Sequence, residues 1–221
     1  MDVLIGSSPV IDIAAPHTQV CYRPMVAGKP GFFMLKRCFD IGLALLVLLL
    51  LLSWMTPLLS LLLYADSKGP VFFLQRRVGR GGRSFLCYKF RTMVVNRAAD
   101  YQAACPGDKR ITRVGAWLRN WHIDELPQFV NVLLGDMSVV GPRPHMYSDC
   151  RRFALLIPGY KLRNLVRPGI TGLAQVKGFH GPVTDRRHAV LRYQWDLYYL
   201  RNASSRLDFM ILIKTLIGGI D

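Results

Sequence analysis

Residues 41–65 read IGLALLVLLLLLSWMTPLLSLLLYA and contain no charged side chain. About 20 consecutive apolar residues are enough to cross the hydrocarbon core of a bilayer, so this stretch predicts a membrane segment. It is too long for a secretory signal peptide, and it begins too deep in the chain.

Two features bear on the path of this segment through the membrane. Pro57 lies inside it, after Ser53 and Thr56, and an internal proline kinks or breaks a helix because it removes a backbone donor. Both flanks are also basic, whereas a simple span has one basic flank. The basic residues are Arg23, Lys29, Lys36 and Arg37 on one side, and Lys68, Arg76, Arg77, Arg80 and Arg83 on the other. Two paths remain open: a kinked span, and a re-entrant segment that breaks between Ser53 and Pro57.

The overall composition favours a protein of the membrane surface. The 221 residues include 29 Lys and Arg against 14 Asp and Glu, a formal net charge of +15, and 51% are hydrophobic. Such a chain is too apolar for a disordered basic tail and for a typical soluble nucleic-acid-binding protein. Anionic lipid, in contrast, attracts Lys and Arg. The five dispersed cysteines favour free thiols over a disulfide framework or a zinc site.

Short strands and helices are predicted after the membrane segment. Residues 71–74 and 85–90 predict two strands, joined by a loop with Gly79, Gly81 and Gly82. Such a loop can cradle a phosphate, but its spacing matches neither the P-loop nor the dinucleotide fingerprint, so a plain hairpin turn is favoured. Helices are predicted over 114–121, from Asp124 to Gly135, and over 154–166, 186–200 and 204–217.

Asp124 and Glu125 are adjacent acids in a basic chain. At the start of a helix, such a pair can diverge around one ligand. One carboxylate can attack phosphorus to give an acyl phosphate, while the other helps to hold Mg²⁺, which binds one or two carboxylates together with phosphate oxygens. The alternative is structural: Asp124 caps the helix, and Glu125 favours its positive end.

Four cations are candidates to neutralise a transferring phosphoryl group: Lys89, Arg91, Arg119 and Arg143. Lys89 and Arg91 alternate in a predicted strand, so they would share one face. Gly141-Pro142-Arg143-Pro144 is a stiff turn that presents one guanidinium group for bidentate phosphate binding. Ordinary solvated faces account for the Lys89 and Arg91 pattern equally well, so the residues leave both interpretations open.

Several multi-residue motifs follow one another along the chain. They are Lys36-Arg37, Lys89-Phe90-Arg91-Thr92-Met93, Asp124-Glu125-Leu126-Pro127-Gln128, Gly141-Pro142-Arg143-Pro144, the stretch Arg167-Pro168-Gly169-Ile170-Thr171-Gly172-Leu173-Ala174-Gln175-Val176, and Asp196-Leu197-Tyr198-Tyr199. In this order they resemble the bacterial sugar transferase family, the monotopic polyprenyl-phosphate phosphoglycosyl transferases. The resemblance covers roughly residues 33–217.

The resemblance implies a reaction and a location. The chain would transfer a sugar 1-phosphate from a UDP-sugar to undecaprenyl phosphate, giving a polyprenyl diphosphate sugar and UMP, as the first membrane step of exopolysaccharide or glycan assembly. Asp124 would form a covalent phosphosugar intermediate, and Glu125 would help to hold Mg²⁺. The enzyme would lie in the bacterial inner membrane with its catalytic domain on the cytoplasmic face. A homodimer is left open, and nucleic acid is not an expected partner.

The resemblance also implies a fold, and it favours the re-entrant path. The expected class is α/β and rich in helix. Residues 31–67 would form a re-entrant membrane hairpin (helix–break–helix) with its hinge at Ser53 to Pro57, and residues 68–221 a small cytosolic catalytic domain of helices and short strands. Residues 1–30 contain four prolines and no sustained periodicity, and these features, rather than the resemblance, predict an irregular extension.

The sugar is specified less closely than the reaction. The stretch from Pro144-His145 through Arg167-Pro168-Gly169 to Gly178-Phe179-His180-Gly181 resembles enzymes that transfer glucose 1-phosphate. However, this chain has His180-Gly181-Pro182-Val183 where those enzymes usually have Arg-Gly-Glu-Thr. Glucose or galactose is therefore favoured, with an N-acetylated sugar as the alternative. The rival functions are a membrane-anchored nucleotide-sugar hydrolase and a non-enzymatic membrane scaffold.

Overall fold

The computed structural model describes residues 29–96, 104–105, 107–181, 183 and 185–218. The predicted extension over residues 1–30 lies outside this range except for its last two positions. The described helices are α1 (Pro30–Val47), α2 (Ser53–Asp66), α3 (Arg113–Asn120), α4 (Gln128–Leu134), α5 (Tyr147–Leu156), α6 (Leu173–Val176), α7 (Arg186–Asn202) and α8 (Ser205–Gly218). The described strands are β1 (Phe72–Val78), β2 (Ser84–Phe90), β3 (Ser138–Val140) and β4 (Gly169–Thr171). The prediction of a helix-rich protein with short strands is confirmed.

The apolar segment forms one continuous helical element. A single π-helical turn, Leu48–Leu52, joins α1 to α2, and the helical backbone continues through Ser53 and past Pro57. The structure therefore differs from the predicted break between these two residues, because the interruption of α geometry lies in the preceding turn. A π turn accommodates one extra residue without ending the helix.

Side chains satisfy backbone carbonyls next to the π turn. Ser53 Oγ donates to the Leu49 carbonyl at 2.6 Å, and Trp54 Nε1 donates to the Leu50 carbonyl at 2.8 Å. Exposed carbonyls are costly in an apolar environment, and such bonds are a known way to tolerate irregular helix geometry there. Local hydrogen bonding thus allows the helix to continue where the sequence predicted a break.

One face of this element packs along the rest of the protein. Its buried residues are Asp40, Ala44, Val47, Leu52, Leu59 and Leu63. The step from Val47 to Leu52 is one residue longer than a helical turn of four, and the π turn absorbs the extra residue, so that α1 and α2 present the same face. Within the described chain this is the one helix long and apolar enough to cross a membrane, and only 17% of its most apolar 18 residues are buried.

Hydrogen bonds fix the base of α1 to the domain. Asp40 accepts from the Val139 amide at 3.0 Å and from Ser138 Oγ at 2.7 Å. Lys36 Nζ lies 2.6 Å from Asp208 Oδ2. These buried polar contacts join α1 to β3 and α8, so the apolar helical element and the rest of the chain form a single packed unit.

The predicted β-hairpin of residues 71–90 is confirmed, and the structure also contains a second small sheet. β1 and β2 pair antiparallel, with Gln75 opposite Cys87. β3 and β4 pair parallel, with Ser138 opposite Gly169. A Cβ atom added to Gly169 would lie 2.1 Å from the Gly141 nitrogen, so only glycine lets β4 approach the Gly-Pro-Arg-Pro turn this closely.

The segment predicted as one helix over 154–166 is divided in the structure. α5 ends at Leu156, and a 3-10 helix covers Tyr160–Leu165. Pro158 and Gly159 lie between them, and Gly159 has a φ of 73°. A residue before proline is biased away from helical geometry, and a left-handed residue ends a helix.

Candidate active site

Asp124 and Glu125 lie in a short 3-10 turn, Ile123–Glu125, between α3 and α4. The preceding His122 has a φ of 53°, which is unusual for a non-glycine residue and marks a constrained turn. α4 begins only at Gln128, so the prediction that Asp124 caps this helix is wrong. The structural alternative for Asp124 thus loses its main support, because the carboxylate is not used as a helix cap.

Two cations hold the Glu125 carboxylate. Lys89 Nζ lies 2.6 Å from Glu125 Oε1, and Arg143 donates to Oε2 at 3.0 Å and also to Oε1. Burial alone would raise the pKa of Glu125, but Arg143 and Lys89 outweigh it and hold this pKa well below its ordinary value. Glu125 is therefore a buried, ionised group that fixes both cations beside Asp124.

Asp124 is also buried, but its carboxylate is left unpaired. It is 7% exposed, and within the described part of the chain no group donates a hydrogen bond to it. Burial raises the pKa of Asp124, Lys89 and Arg119 oppose the rise, and the neighbouring Glu125 adds to it. A carboxylate that is free of hydrogen bonds and surrounded by cations is suited to attack an anionic phosphorus centre.

A hydrogen bond to Thr92 holds Arg119 near Asp124. Its Nε donates to Thr92 Oγ1 at 2.7 Å, and the Thr112 amide donates to the Thr92 carbonyl at 3.1 Å. A Cβ atom added to Gly115 would lie 2.1 Å from that carbonyl oxygen, so glycine is needed for α3 to approach so closely. Thr92 belongs to the Lys89–Met93 motif, but the motif alone does not indicate that Thr92 holds Arg119.

Arg91 lies elsewhere, although it was predicted to face the phosphate. β2 ends at Phe90, so the alternation of a strand no longer directs Arg91 to the face of Lys89. Its guanidinium group donates to the Ser67 carbonyl and hydroxyl, both at 2.6 Å, and to the Lys68 carbonyl at 3.1 Å. Arg91 thus caps the C-terminal end of α2, where free carbonyls attract a cation.

A buried ion pair lies behind Arg143. Arg163 Nε donates to Asp196 Oδ2 at 2.8 Å, and Arg163 Nη2 donates to the Arg143 carbonyl at 2.7 Å. The side chains of Arg163 and Asp196 are 2% and 3% exposed. This pair fixes the backbone that carries Arg143. Arg163 was missed at the sequence level, because nothing in its local sequence distinguishes it from a surface arginine.

The acidic pair is also the candidate metal site. Glu125 Oε1 accepts from both cations, whereas Oε2 accepts a single hydrogen bond and keeps a second lone pair. The described residues contain no cluster of three or more His, Cys, Asp or Glu side chains that could enclose a metal. This donor set fits Mg²⁺, which is usually held by one or two carboxylates together with substrate phosphates.

The structure thus brings together Asp124, Glu125, Lys89, Arg119 and Arg143 among the predicted site residues. It leaves Arg91 at the end of α2. The predicted hinge residues Ser53 and Pro57 lie within the apolar helical element, in α2. The cluster combines one unpaired carboxylate, one clamped carboxylate and three cations, which is chemistry suited to transfer between two phosphate-bearing substrates.

Comparison with known proteins agrees with this chemistry. The family model for "Bacterial sugar transferase" matches residues 32–220. The chain is 45% identical over 189 residues to the UDP-N-acetylgalactosamine-undecaprenyl-phosphate N-acetylgalactosaminephosphotransferase of Aeromonas hydrophila, which covers 85% of this chain and 44% of that protein. It is 44% identical over 188 residues to the UDP-glucose:undecaprenyl-phosphate glucose-1-phosphate transferase of Klebsiella pneumoniae, with coverage of 83% and 40%.

A shorter relative is matched over nearly its whole length. The exopolysaccharide production protein PSS of Rhizobium leguminosarum bv. phaseoli is 42% identical over 192 residues, which is 85% of this chain and 96% of that protein. The chain spans less than half of the two longer relatives. The family match itself extends over most of the chain, from α1 through α8. The chain belongs to the bacterial sugar transferase family.

Proposed function

We propose that the chain transfers a sugar 1-phosphate from a UDP-sugar to undecaprenyl phosphate and releases UMP. The observation that carries this proposal is the unpaired, buried carboxylate of Asp124 beside Glu125, whose two oxygens are held by Lys89 and Arg143. The relatives named as sugar-phosphate transferases acting on undecaprenyl phosphate support the same substrate classes.

The arrangement suggests a two-step reaction. Asp124 attacks the β-phosphorus of the UDP-sugar, the bond from that phosphorus to the bridging oxygen breaks, and UMP leaves with the electron pair. The sugar phosphate is then joined to Asp124 as an acyl phosphate. A phosphate oxygen of undecaprenyl phosphate attacks the same phosphorus and releases the Asp124 carboxylate, so neither step requires a proton from the protein.

The cations have separate tasks in this scheme. Lys89 and Arg143 neutralise charge on the transferring phosphoryl group while keeping Glu125 ionised, and the charge of Arg119 favours the ionised form of Asp124. Glu125 Oε2 and the substrate diphosphate would hold Mg²⁺, which adds positive charge where the leaving phosphate develops negative charge. The single free lone pair of Glu125 Oε2 supports this assignment.

We propose that the apolar helical element of α1, the π turn and α2, called the membrane element from here on, enters and leaves the bilayer on one face. A straight helix of 37 residues would be about 55 Å long, far more than the roughly 30 Å of a hydrocarbon core. Both of its ends contact the same domain, since Arg37 donates to the Val132 carbonyl and Asp66 accepts from the Val114 amide. A full span would separate these ends across the bilayer. The π turn at Leu48–Leu52 supplies the position for a bend.

Trapping of the intermediate tests the proposed function. The purified chain is mixed with a UDP-sugar labelled in the sugar, without lipid acceptor and in a single turnover, and is then analysed by mass spectrometry. The expected result is a phosphosugar adduct on Asp124 of the wild type and none on Asp124→Asn. Absence of an adduct from the wild type would count against the covalent mechanism, and an unimpaired Asp124→Asn would favour a non-enzymatic scaffold.

A second measurement separates transferase from hydrolase. UMP release should continue beyond one turnover only when undecaprenyl phosphate is present. Sustained release without lipid would identify water as the acceptor and would overturn the transferase assignment. UDP-glucose and UDP-galactose are the favoured donors. UDP-N-acetylgalactosamine belongs in the same panel, because a 45% identical relative is named for that sugar.

A further inference from the structure

A basic cleft lies at the turn of the β1–β2 hairpin. It is open to solvent and has a volume of about 450 Å³, and its lining includes Arg80, Gly81, Arg83, Gly135, Asp136 and Arg167. None of the catalytic candidates lines it. Ser84 at the cleft and Lys89 at the candidate active site are five residues apart on β2, a separation of about 17 Å. The cleft is therefore distinct from the site that contains Asp124.

The charge of the cleft is unbalanced. Three arginines face one acid, Asp136. Arg80 and Arg83 are exposed, and within the described residues neither forms an ion pair or a side-chain hydrogen bond. Arg167 is half-buried and donates to the Gly135 carbonyl at 2.8 Å. Guanidinium groups present planar donor pairs that match the oxygens of a phosphate group.

Arg37 and Arg80 both act on the charge of the half-buried Arg167, and the opposing effect of Asp40 is smaller. Burial lowers the pKa of Arg167, and the neighbouring guanidinium groups of Arg37 and Arg80 lower it further. Two arginines that are close enough to disfavour the charge of a third create a local positive potential. An anion that binds there relieves this repulsion, so the cleft is electrostatically prepared for a negative ligand.

The cleft borders the base of the membrane element. Arg37 of α1 donates to the carbonyls of Val132 and Leu133 at the end of α4, at 2.7 and 3.2 Å. A Cβ atom added to Gly135, which lines the cleft, would lie 3.6 Å from Arg37 Nη2. Arg37 precedes the charge-free segment by four residues, or about 6 Å of helix.

The outer surface of α1 at this level is apolar. Met34, Leu35 and Phe39 are 71%, 63% and 50% exposed. Apolar side chains on the surface of a membrane element favour contact with lipid. The cleft therefore lies at the depth where lipid phosphates are found, if α1 enters the bilayer as proposed above.

We propose that this cleft binds the phosphate of an anionic lipid headgroup, as a second phosphate site separate from the one at Asp124. The cleft is open to solvent at Gly81, where a Cβ atom added to the glycine would meet nothing within 4 Å. A lipid bound there would hold the hairpin turn at the membrane surface. The inference rests on the proposed membrane placement and not on the covalent mechanism.

Ligand-dependent thermal stability tests this site in the full chain, purified in uncharged detergent. Three probes are titrated separately: short-chain phosphatidylglycerol, short-chain phosphatidylcholine and inorganic phosphate. The test variant is Arg80→Ala with Arg83→Ala. The matched control is Arg76→Ala with Arg151→Ala, which removes the same charge from exposed positions outside the cleft. Melting temperatures without ligand, together with an Arg80→Lys and Arg83→Lys variant, check that the fold is retained.

Phosphatidylglycerol is expected to raise the melting temperature of the wild type and the control in a saturable way. The test variant should bind about tenfold or more weakly, the size expected from the loss of one charge-assisted hydrogen bond. If inorganic phosphate alone raised the melting temperature, and this effect were lost in the test variant, the ligand would be a soluble phosphate and the lipid assignment would be overturned. Equal shifts in all variants, or equal shifts with phosphatidylcholine, would overturn the site. Adduct formation on Asp124 is measured in parallel, so a failure of the proposed function is recognised separately.

Discussion

Lys89 Nζ lies 2.6 Å from Glu125 Oε1, and this contact joins the second strand of the hairpin to the turn that carries both acids. Because Arg143 contacts the same carboxylate, Glu125 holds two cations next to Asp124 and stays ionised despite its burial. The site therefore combines fixed positive charge with one free carboxylate. Each part of this arrangement can be changed separately.

Replacing Lys89 should slow the reaction more than it destabilises the protein. Arg143 still pairs with Glu125 in Lys89→Met, which limits the loss of stability. The variant lacks the cation proposed to contact the transferring phosphoryl group, and a charge-assisted hydrogen bond is worth about 1.5–3 kcal/mol, so single-turnover UMP release should fall by roughly tenfold to a hundredfold. Arg76→Met, an exposed change on the neighbouring strand, should leave the rate unchanged. Equal rates for both variants would exclude Lys89 from the site.

Replacing Arg91 should destabilise the protein and leave the rate of the reaction unchanged. Arg91→Met removes hydrogen bonds to the end of α2, so the melting temperature should fall, by the equivalent of about 1–3 kcal/mol. The fraction of protein that remains folded should form the adduct at the wild-type rate. Adduct formation and thermal unfolding are compared on the same preparation. A slow reaction in fully folded Arg91→Met protein would show that Arg91 acts at the phosphate site.

Arg119 should influence the acid side of the pH–rate profile. Attack requires ionised Asp124, and the charge of Arg119 lowers the pKa of this group against the effect of burial. Arg119→Gln should therefore raise the pKa and move the fall in rate on the acid side to higher pH. Arg113→Gln changes an exposed arginine of the same helix and should not move it. The profile is measured as single-turnover adduct formation.

The Arg163–Asp196 pair should be needed for stability and for the position of Arg143. Asp196→Leu leaves Arg163 buried and unpaired, which should cost about 3–5 kcal/mol. The double change Arg163→Met with Asp196→Leu removes both charges and should recover much of this loss. It should not recover the rate, since Arg163 also holds the Arg143 carbonyl. Full recovery of the rate would exclude a positioning role for Arg163.

Topology can be measured with cysteine labelling in a background without native cysteines. Gly31 and Lys68 are exposed and lie on opposite sides of the apolar segment. If both flanks stay on the cytoplasmic face, Gly31→Cys and Lys68→Cys should both resist a membrane-impermeant thiol reagent added outside intact cells and react after lysis. Reaction of only one of them in intact cells would indicate a full span.

The local pattern of the sequence was sufficient for several features. These features are the charge-free segment, the β-hairpin with its glycine turn, the acidic pair and the order of the motifs. This succeeded because hydrophobic patterning, turn residues and motif spacing are encoded by residues close together in the chain. The same information predicted that Lys89, Arg119 and Arg143 accompany the acids.

The tertiary structure decided what depends on contacts between distant parts of the chain. Lys89, Glu125 and Arg143 meet only because the hairpin, the 3-10 turn and the Gly-Pro-Arg-Pro turn pack together. Arg91 leaves the group because the end of α2 presents free carbonyls next to it. Proline favours a break, but the helix continues past Pro57. The π turn keeps α1 and α2 in one helical element, and one face of this element packs against the rest of the protein. Helix propensity is a local contribution to the free energy. The free energy gained by burying side chains along one face of the helix exceeds the unfavourable propensity of Pro57.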